Sequence, residues 1–345
     1  MSPGRPARLV GQRLLLAGFA AWGVLTITFV VSRVLPADPT ALLAGPHASE
    51  EVSRGISSSL GLDQPLPAQY LKYLSGAVRG DLGRSFRTGQ PVLADLGARF
   101  PATLELVLTS GLLGLAVAVP LGMITAVWRG RWPDYLGRGL TLLGVAVPSF
   151  WLGLVLVYLL FFQVRIFPAP VGRLPLDQPP PPGVSGLLLV DSLLAGQIGV
   201  FWSALGQLAL PAVTLGFVIL GPIARVLRAS MLEVLGADYV RTARAMGIPE
   251  RRVLGHHALR NALLPTLTVA GTLFGNLLGG AVLVETVFSW PGLGRYVVDA
   301  IQVSDYASIQ GFVLLASVLY VAVFQTVEVL YALLDPRIRL AGGAR

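Results

Sequence analysis

Long stretches without a charged residue constrain this sequence more than any other feature. A transmembrane helix needs about 20 consecutive, mainly apolar residues. Five stretches meet that need without any Asp, Glu, Lys or Arg: Leu14 to Ser32, Leu106 to Trp128, Gly139 to Val164, Asn261 to Val284 and Ala307 to Val327. Charged residues make up 13% of the chain, whereas a soluble domain carries about a quarter. The sequence therefore predicts an all-α membrane protein.

A sixth uncharged run, Ser192 to Ala224, is longer than one helix needs. Its first part contains three glycines, which lower helix propensity. We therefore place the span at about Ala204 to Ala224 and assign the residues before it to an external loop. With this run the sequence predicts six transmembrane helices. Their prolines favour kinked helices that line a path or pack closely: Pro120, Pro148, Pro211 and Pro265.

The distribution of basic residues predicts that both chain ends are cytoplasmic. Six spans place both ends on one side, and the segments on that side hold 16 of the 26 Arg and Lys residues. Cytoplasmic segments carry an excess of these residues. The first external loop is then the long segment Pro36 to Arg99, in which Gln69 to Leu74 forms an amphipathic piece.

The net charge of +8 does not indicate a nucleic-acid partner. The arginines cluster beside apolar runs, as the orientation rule expects, and no predicted helix is polar enough to lie in a groove. The chain has no cysteine, and its three histidines are His47, His256 and His257. The last two are adjacent, so on a helix they point to different sides. We expect neither nucleic-acid binding nor a metal site.

A polar segment between spans four and five, Arg225 to Arg260, carries the main functional pattern. Four apolar residues recur at helical spacing, with charged residues off that stripe, which predicts a short amphipathic helix. The stripe is Leu235, Tyr239, Ala243 and Met246, and the charged residues are Asp238, Arg241 and Arg244. Gly247 follows as a helix stop, and Pro249 beside Glu250 suits the start of a second helix.

This segment resembles the cytoplasmic loop of permease subunits of ATP-binding cassette (ABC) importers. That loop reads Glu-Ala-Ala, three residues, Gly, nine residues, then Ile-x-Leu-Pro. Arg241-Thr242-Ala243 stands at the triplet and Gly247 at the glycine, although the glutamate and the terminal proline are absent. Asp238 to Gly247 and His257 to Pro265 are similar to the variant form of the dipeptide and oligopeptide permease family.

Further segments similar to this family occur in the family's order: Gly80 to Ser85, Glu285 to Gly294 and Leu333 to Arg339. The Gly-Asp-Leu-Gly segment resembles the first of the two paired permeases. The resemblance implies a type I ABC importer permease fold of six spans with an extended first external loop. Residues 1–101 would form an N-terminal span and external loop region, 102–335 the transmembrane domain with its coupling loop 225–260, and 336–345 a cytoplasmic tail.

The resemblance also implies function and partners. The chain would be a permease subunit in the cytoplasmic membrane that translocates di- or oligopeptides, with nickel chelates or another small solute as alternative cargo. Its partners would be a second homologous permease, two ABC ATPase subunits or domains and an extracytoplasmic solute-binding protein. The first helix of the loop would be a coupling helix that binds a groove of the ATPase. Its residues are Leu235, Asp238, Tyr239, Arg241, Ala243, Arg244 and Gly247. A basic amphipathic helix resting on anionic lipid is the other interpretation.

The chain lacks the residues for ATP hydrolysis. A Walker A loop needs a lysine on the phosphates, and the only lysine, Lys72, lies in Leu71-Lys72-Tyr73. We therefore expect no cofactor in this chain, with ATP and Mg²⁺ bound by the partner ATPases. No catalytic constellation indicates an enzyme.

An ion-coupled secondary transporter is the other class of function that the sequence leaves open. It would carry ionisable groups deep in its spans. The candidates, Glu105, Glu285 and Glu328, lie near predicted span ends, where snorkelling or a local pair is the ordinary explanation. Neither the substrate path nor the role of the Pro-rich loop 171–202 follows from the sequence.

Overall fold

The structure, a computed structural model, describes residues 18–31, five positions between 49 and 58, and residues 63–334. Its regular elements in these ranges are helices. They are α1 (Gly18–Val31), α2 (Leu66–Val78), α3 (Val92–Val127), α4 (Trp132–Ala146), α5 (Ser149–Leu156), α6 (Leu188–Leu194), α7 (Ile198–Leu235), α8 (Asp238–Ala245), α9 (Glu250–Arg252), α10 (Arg260–Val287), α11 (Leu293–Gln302) and α12 (Tyr306–Leu334). Two π-helical segments, Val157–Gln163 and Val253–Leu259, follow α5 and α9.

The all-α membrane class predicted from the sequence is confirmed. Four helical stretches are long and apolar enough to cross a membrane: α3, α7, Glu250–Val287 and α12. The bent pair formed by α4 and the stretch Ser149–Gln163 makes a fifth. The described part of α1 is apolar but shorter than a span. The predicted ends of the first span and the predicted tail 336–345 lie outside the described residues.

The third predicted span, Gly139 to Val164, is not one straight helix. Its two halves are bent by 109° at the break between α4 and α5. Pro148 has no N–H to continue the helical ladder, and its ring pushes the preceding residue out of the helical region. Val147 is accordingly extended, with φ −89° and ψ 122°. The sequence predicts a kink at Pro148, and the structure contains a complete break.

The fourth predicted span was too short. Helix α7 begins at Ile198 and continues through 38 residues to Leu235, so the segment from Ile198 to Ala204 is helix and not loop. At the other end, Leu227 and Met231 are fully buried against Ala258 and Ala262. This packing holds the helix past the point where its apolar run ends, and tertiary contacts outweigh the local signals.

Glycines allow α7 to pack closely against its neighbours. A Cβ added at Gly216 would lie 2.7 Å from the carbonyl oxygen of Ser110 on α3. One added at Gly221 would lie 2.5 Å from the carbonyl oxygen of Thr141 on α4. Small residues at such contacts let helix backbones approach in membranes, where packing rather than water drives association.

The chain divides into two compact units. One comprises the described residues between 18 and 101 together with residues 292–321, and its core contains Val92, Leu96, Leu293 and Tyr296. The other comprises residues 102–291 and 322–334, and its largest core cluster is built around the buried face of α7. The candidate coupling loop belongs to this second unit.

Candidate functional site

The segment between α7 and α10 is a helix–turn–helix built from short pieces. Helix α7 ends at Leu235, and α8 has only eight residues. An isolated helix of that length is unstable in water. The position of α8 must therefore come from its contacts with the rest of the chain.

Three small apolar side chains fix α8 to the protein. Val240 and Val253 are fully buried, and Ala243 is nearly so. They form one cluster, with Val234, Leu235 and Ile248 packed against it. Val240 and Ala243 are three residues apart and so lie on one face of α8. That face is the inner face of the helix.

Gly247 closes α8 in the left-handed conformation that favours glycine, with φ +73°. Its N–H donates to the carbonyl oxygen of Arg244 at 2.9 Å, and the N–H of Ile248 donates to that of Ala243 at 3.2 Å. These bonds satisfy carbonyls that the end of a helix leaves free. The predicted helix stop is thus a tight turn, and α9 begins three residues after it.

Two polar contacts brace the turn. The guanidinium of Arg244 donates to both carboxylate oxygens of Glu250, at 3.2 and 2.7 Å. The side-chain amide of Asn261 donates to the hydroxyl of Tyr239 at 2.9 Å, which joins α8 to α10. Both contacts tie α8 to the chain that follows the turn. Together with the apolar cluster, they pack the loop against the ends of α7 and α10.

The outer surface formed by α8 and the residue after it is mainly polar and includes two exposed apolar side chains. The Asp238 side chain is 94% exposed and lies 3.3 Å from Arg241. Met246 is 68% exposed and Tyr239 is 45% exposed. Acidic, basic, aromatic and thioether groups therefore lie together on a surface that the described chain does not cover.

The structure divides the seven predicted coupling residues between the two sides of the loop. Asp238, Tyr239, Arg241, Arg244 and Gly247 are exposed, whereas Ala243 is buried and Leu235 is the partly buried last residue of α7. The four residues of the predicted apolar stripe therefore do not share one environment, because Tyr239 and Met246 are exposed and Ala243 is buried. Sequence reasoning missed Val240 and Val253 as anchors; the i, i+3 spacing of Val240 and Ala243 could have indicated the inner face. It also missed the pairing of Arg244 with Glu250, although opposite charges flank the turn.

Two of the carboxylates that could have served ion coupling have local partners. Glu105, 5% exposed, accepts from the guanidinium of Arg173 and from the N–H of Leu189, each at 2.7 Å. Glu285 is fully buried and accepts from the hydroxyl of Thr103 at 2.6 Å. The predicted local pairs therefore exist, and snorkelling is wrong for these two residues. Glu328 is outside the side chains that the structure describes.

Arg173 also donates to the carbonyl oxygen of Gly186 at 2.9 Å, so it joins the Pro-rich segment to Glu105 on α3. Asp191 at α6 accepts from the backbone N–H groups of Ser185 and Gly186 at 2.8 and 3.0 Å. The Pro-rich segment is therefore held in a defined conformation by the side chains of Arg173 and Asp191. In the described ranges no cluster of three or more His, Cys, Asp or Glu could hold a metal ion.

Comparison with known families decides what kind of protein carries this loop. Residues 118–340 match the family model described as binding-protein-dependent transport system inner membrane component. Residues 8–107 match the model for the N-terminal part of such components. The chain belongs to this family. It is a multi-pass inner-membrane permease subunit of an ABC importer, of the dipeptide and oligopeptide type, which confirms the resemblance seen in the sequence.

Permeases of this family from Escherichia coli are similar over almost the whole chain. A probable D,D-dipeptide transport system permease from strain K12 is 49% identical over 321 residues, which cover 93% of this chain and 94% of the relative. A dipeptide transport system permease from the same strain is 42% identical, with 92% and 94% covered. A glutathione transport system permease from strain CFT073 is 40% identical, again with 92% and 94% covered. These relatives confirm a transport subunit as the class of protein.

Proposed function

We propose that this chain moves di- or oligopeptides across the cytoplasmic membrane and that the coupling loop 225–260 transmits conformational changes of a partner ATPase to the membrane helices. The first part is supported by the names of the relatives, which refer to dipeptides and to glutathione, itself a peptide. The second part is carried by one observation. The loop presents an uncovered mixed surface on α8 while buried Val240 and Val253 and the Arg244–Glu250 pair hold it to the bundle.

Rigid attachment is what coupling requires. A partner can shift a conformational equilibrium only by binding one state better than the other. If the loop deformed when the ATPase bound, the difference in binding free energy would be spent on deforming the loop and would not move the membrane helices. Because α8 packs under the ends of α7 and α10, a displacement of α8 would be passed to two membrane helices.

The partners of the proposed importer are a second homologous permease, two ABC ATPase subunits or domains that bind ATP and Mg²⁺, and an extracytoplasmic solute-binding protein. Asp238 and the arginines of α8 would contact the rim of the ATPase groove, with Tyr239 and Met246 inside it. Both termini and the loop would be cytoplasmic, and the Pro-rich segment would face outward. Glu105 is bound by Arg173, and Glu285 accepts a hydrogen bond from Thr103. These contacts inside the protein give no support to ion-coupled transport.

Reconstitution tests this proposal. The purified chain alone should hydrolyse no ATP, whereas co-expression with its ATPases and second permease should give ATP-driven peptide uptake in proteoliposomes. Asp238→Arg should reduce both co-purification of the ATPase and uptake. Asp177→Arg, the same charge reversal at an exposed position outside the coupling loop, is the matched control for co-purification of the ATPase. Normal assembly and uptake by the Asp238 variant would remove the coupling role.

The orientation needs a separate measurement. Asp177 in the Pro-rich segment and Arg241 in the loop are both exposed, and the chain has no cysteine of its own. A single cysteine at position 177 should react with an impermeant maleimide added outside spheroplasts, and one at position 241 only after lysis. The opposite result would invert the proposed topology.

A further inference from the structure

A cleft between α4 and the C-terminal half of α7 carries more positive charge than its own carboxylate neutralises. The cleft has a volume of about 420 Å³, and its charged lining consists of Arg138, Arg225 and Arg228. The carboxylate beside it is that of Asp134, which is 2% exposed. Three guanidinium groups thus line the cleft, and none of the residues that line it is acidic.

That one carboxylate is already satisfied. Arg228 donates to both oxygens of Asp134, at 2.9 and 3.0 Å, and the N–H of Gly130 donates to it at 3.0 Å. Arg228 and Asp134 therefore form a closed pair between α7 and α4. The pair explains why an acidic residue is buried at this place.

Arg138 and Arg225 supply the surplus charge. The nearest nitrogen of Arg138 is 3.6 Å from Asp134, and its side chain is 52% exposed. Arg225 is exposed and has no hydrogen bond or ion pair with any residue that the structure describes. Arg138 also lies over the ring of Tyr135, and the carboxylate nearest to it is already bound by Arg228. Arg138 and Arg225 can therefore still donate hydrogen bonds to an anion in the cleft.

Aromatic side chains show that the cleft lies at the membrane surface. Trp128, Trp132 and Tyr135 are exposed around the start of α4, and exposed Trp and Tyr are typical of the membrane–water interface. Farther along α4, Leu136, Leu142 and Leu143 are also exposed. A ligand here would meet charge at the level of the lipid headgroups and an apolar helix surface next to it.

We propose that this cleft binds the phosphate of an anionic phospholipid, with Arg138 and Arg225 as its ligands and the acyl chains lying on the exposed leucines of α4. Basic pockets between membrane helices bind anionic headgroups on the cytoplasmic side. Assignment to the inner leaflet rests on the proposed orientation, but binding itself does not. A bound lipid would hold α4 against α7, the helix that leads directly into the coupling loop.

Lipid titration with native mass spectrometry tests the site. The full chain, purified in mild detergent, would be titrated with phosphatidylglycerol and, separately, with phosphatidylcholine. The test variant is Arg138→Gln with Arg225→Gln; Arg228 is kept because its loss would leave Asp134 buried without a partner. The control is Arg251→Gln with Arg252→Gln, which removes the same charge from two exposed positions outside the cleft.

We expect the wild type and the control to bind phosphatidylglycerol more tightly than phosphatidylcholine. The test variant should bind phosphatidylglycerol at least about tenfold more weakly, the loss that one charge-assisted bond accounts for. Equal binding by the test variant, or an equal loss in the control, would overturn the site. Displacement of the lipid by millimolar dialanine would identify a carboxylate site for solute and overturn the lipid assignment. An unchanged melting temperature of the test variant excludes misfolding, and these outcomes are independent of peptide uptake.

Discussion

The guanidinium of Arg244 and the carboxylate of Glu250 face each other across the Gly247 turn, with 2.7 Å between Nη2 and Oε1. Both side chains are partly exposed, and such pairs contribute about 0.2–1 kcal/mol. A contribution of this size does not decide whether the chain folds, but we expect loss of the pair to change how α8 is held against the chain after the turn. The pair is therefore suited to a charge-swap experiment.

Arg244→Glu and Glu250→Arg should each lower ATP-driven uptake, by up to about fivefold if the pair contributes its full share to coupling. The double variant, which restores an opposite pair, should recover most of the loss. A double-mutant cycle on uptake rates in proteoliposomes measures the interaction directly. Losses that simply add in the double variant would show that the contact has no part in coupling.

Gly247→Val should leave the chain in the membrane and reduce its association with the ATPase. A β-branched residue in the left-handed region costs about 1–2 kcal/mol or more. Gly255→Val is the control, because an added Cβ meets nothing within 4 Å at either position and only Gly247 has a positive φ. Gly247→Asn should retain more association than Gly247→Val, since Asn tolerates this conformation. Co-purification of the ATPase gives the comparison, and equal yields for all variants would contradict it.

The sequence predicted those features that follow from membrane thickness and from local backbone rules. The apolar runs located the helices because a span must have a certain length. Gly247 and Pro249 located the turn because each restricts the backbone. The full length of α7 and the buried role of Val240 depend on distant residues such as Ala258 and Val253, which contact them only in the folded chain. Periodicity within one segment contains no information about such partners.

Arg173→Met should loosen the Pro-rich segment, which faces outward in the proposed topology. The substitution leaves Glu105 buried without its cation and the carbonyl oxygen of Gly186 without its donor, at an expected cost of about 1–3 kcal/mol. Limited proteolysis from the outside, followed by peptide mapping, should show faster cleavage within residues 174–187. Adding Glu105→Gln should restore part of the protection, because the uncompensated charge is then removed. Equal cleavage of wild type and Arg173→Met would show that the anchor is dispensable.

Gly221→Ala should destabilise the bundle, whereas Gly199→Ala on the same helix should not. A Cβ at Gly221 would lie 2.5 Å from the carbonyl oxygen of Thr141, and one at Gly199 would meet nothing within 4 Å. Overpacking typically costs about 1–3 kcal/mol, while alanine in an uncrowded helix is favoured over glycine by about 1 kcal/mol. The fraction of protein that stays monodisperse after heating in detergent measures the difference. Equal monodisperse fractions for both variants after heating would show that α4 and α7 can move apart to admit the added methyl group at little cost in stability.

The break at Val147 and Pro148 has a consequence for what surrounds the chain. The end of a helix leaves its last carbonyls, and the start of a helix its first N–H groups, without helical partners. At the break, the N–H of Val147 donates to the carbonyl oxygen of Leu143, but no side chain caps the start of α5. Hydrocarbon cannot hydrate such groups, so they are tolerated at membrane depth only beside other protein or water. Ala146, Pro148 and Phe150 are nevertheless exposed in this chain. In a bilayer the backbone at this break must therefore be covered by another subunit or be in contact with water in the solute pathway. A single chain surrounded by lipid would leave these polar groups without hydrogen-bond partners.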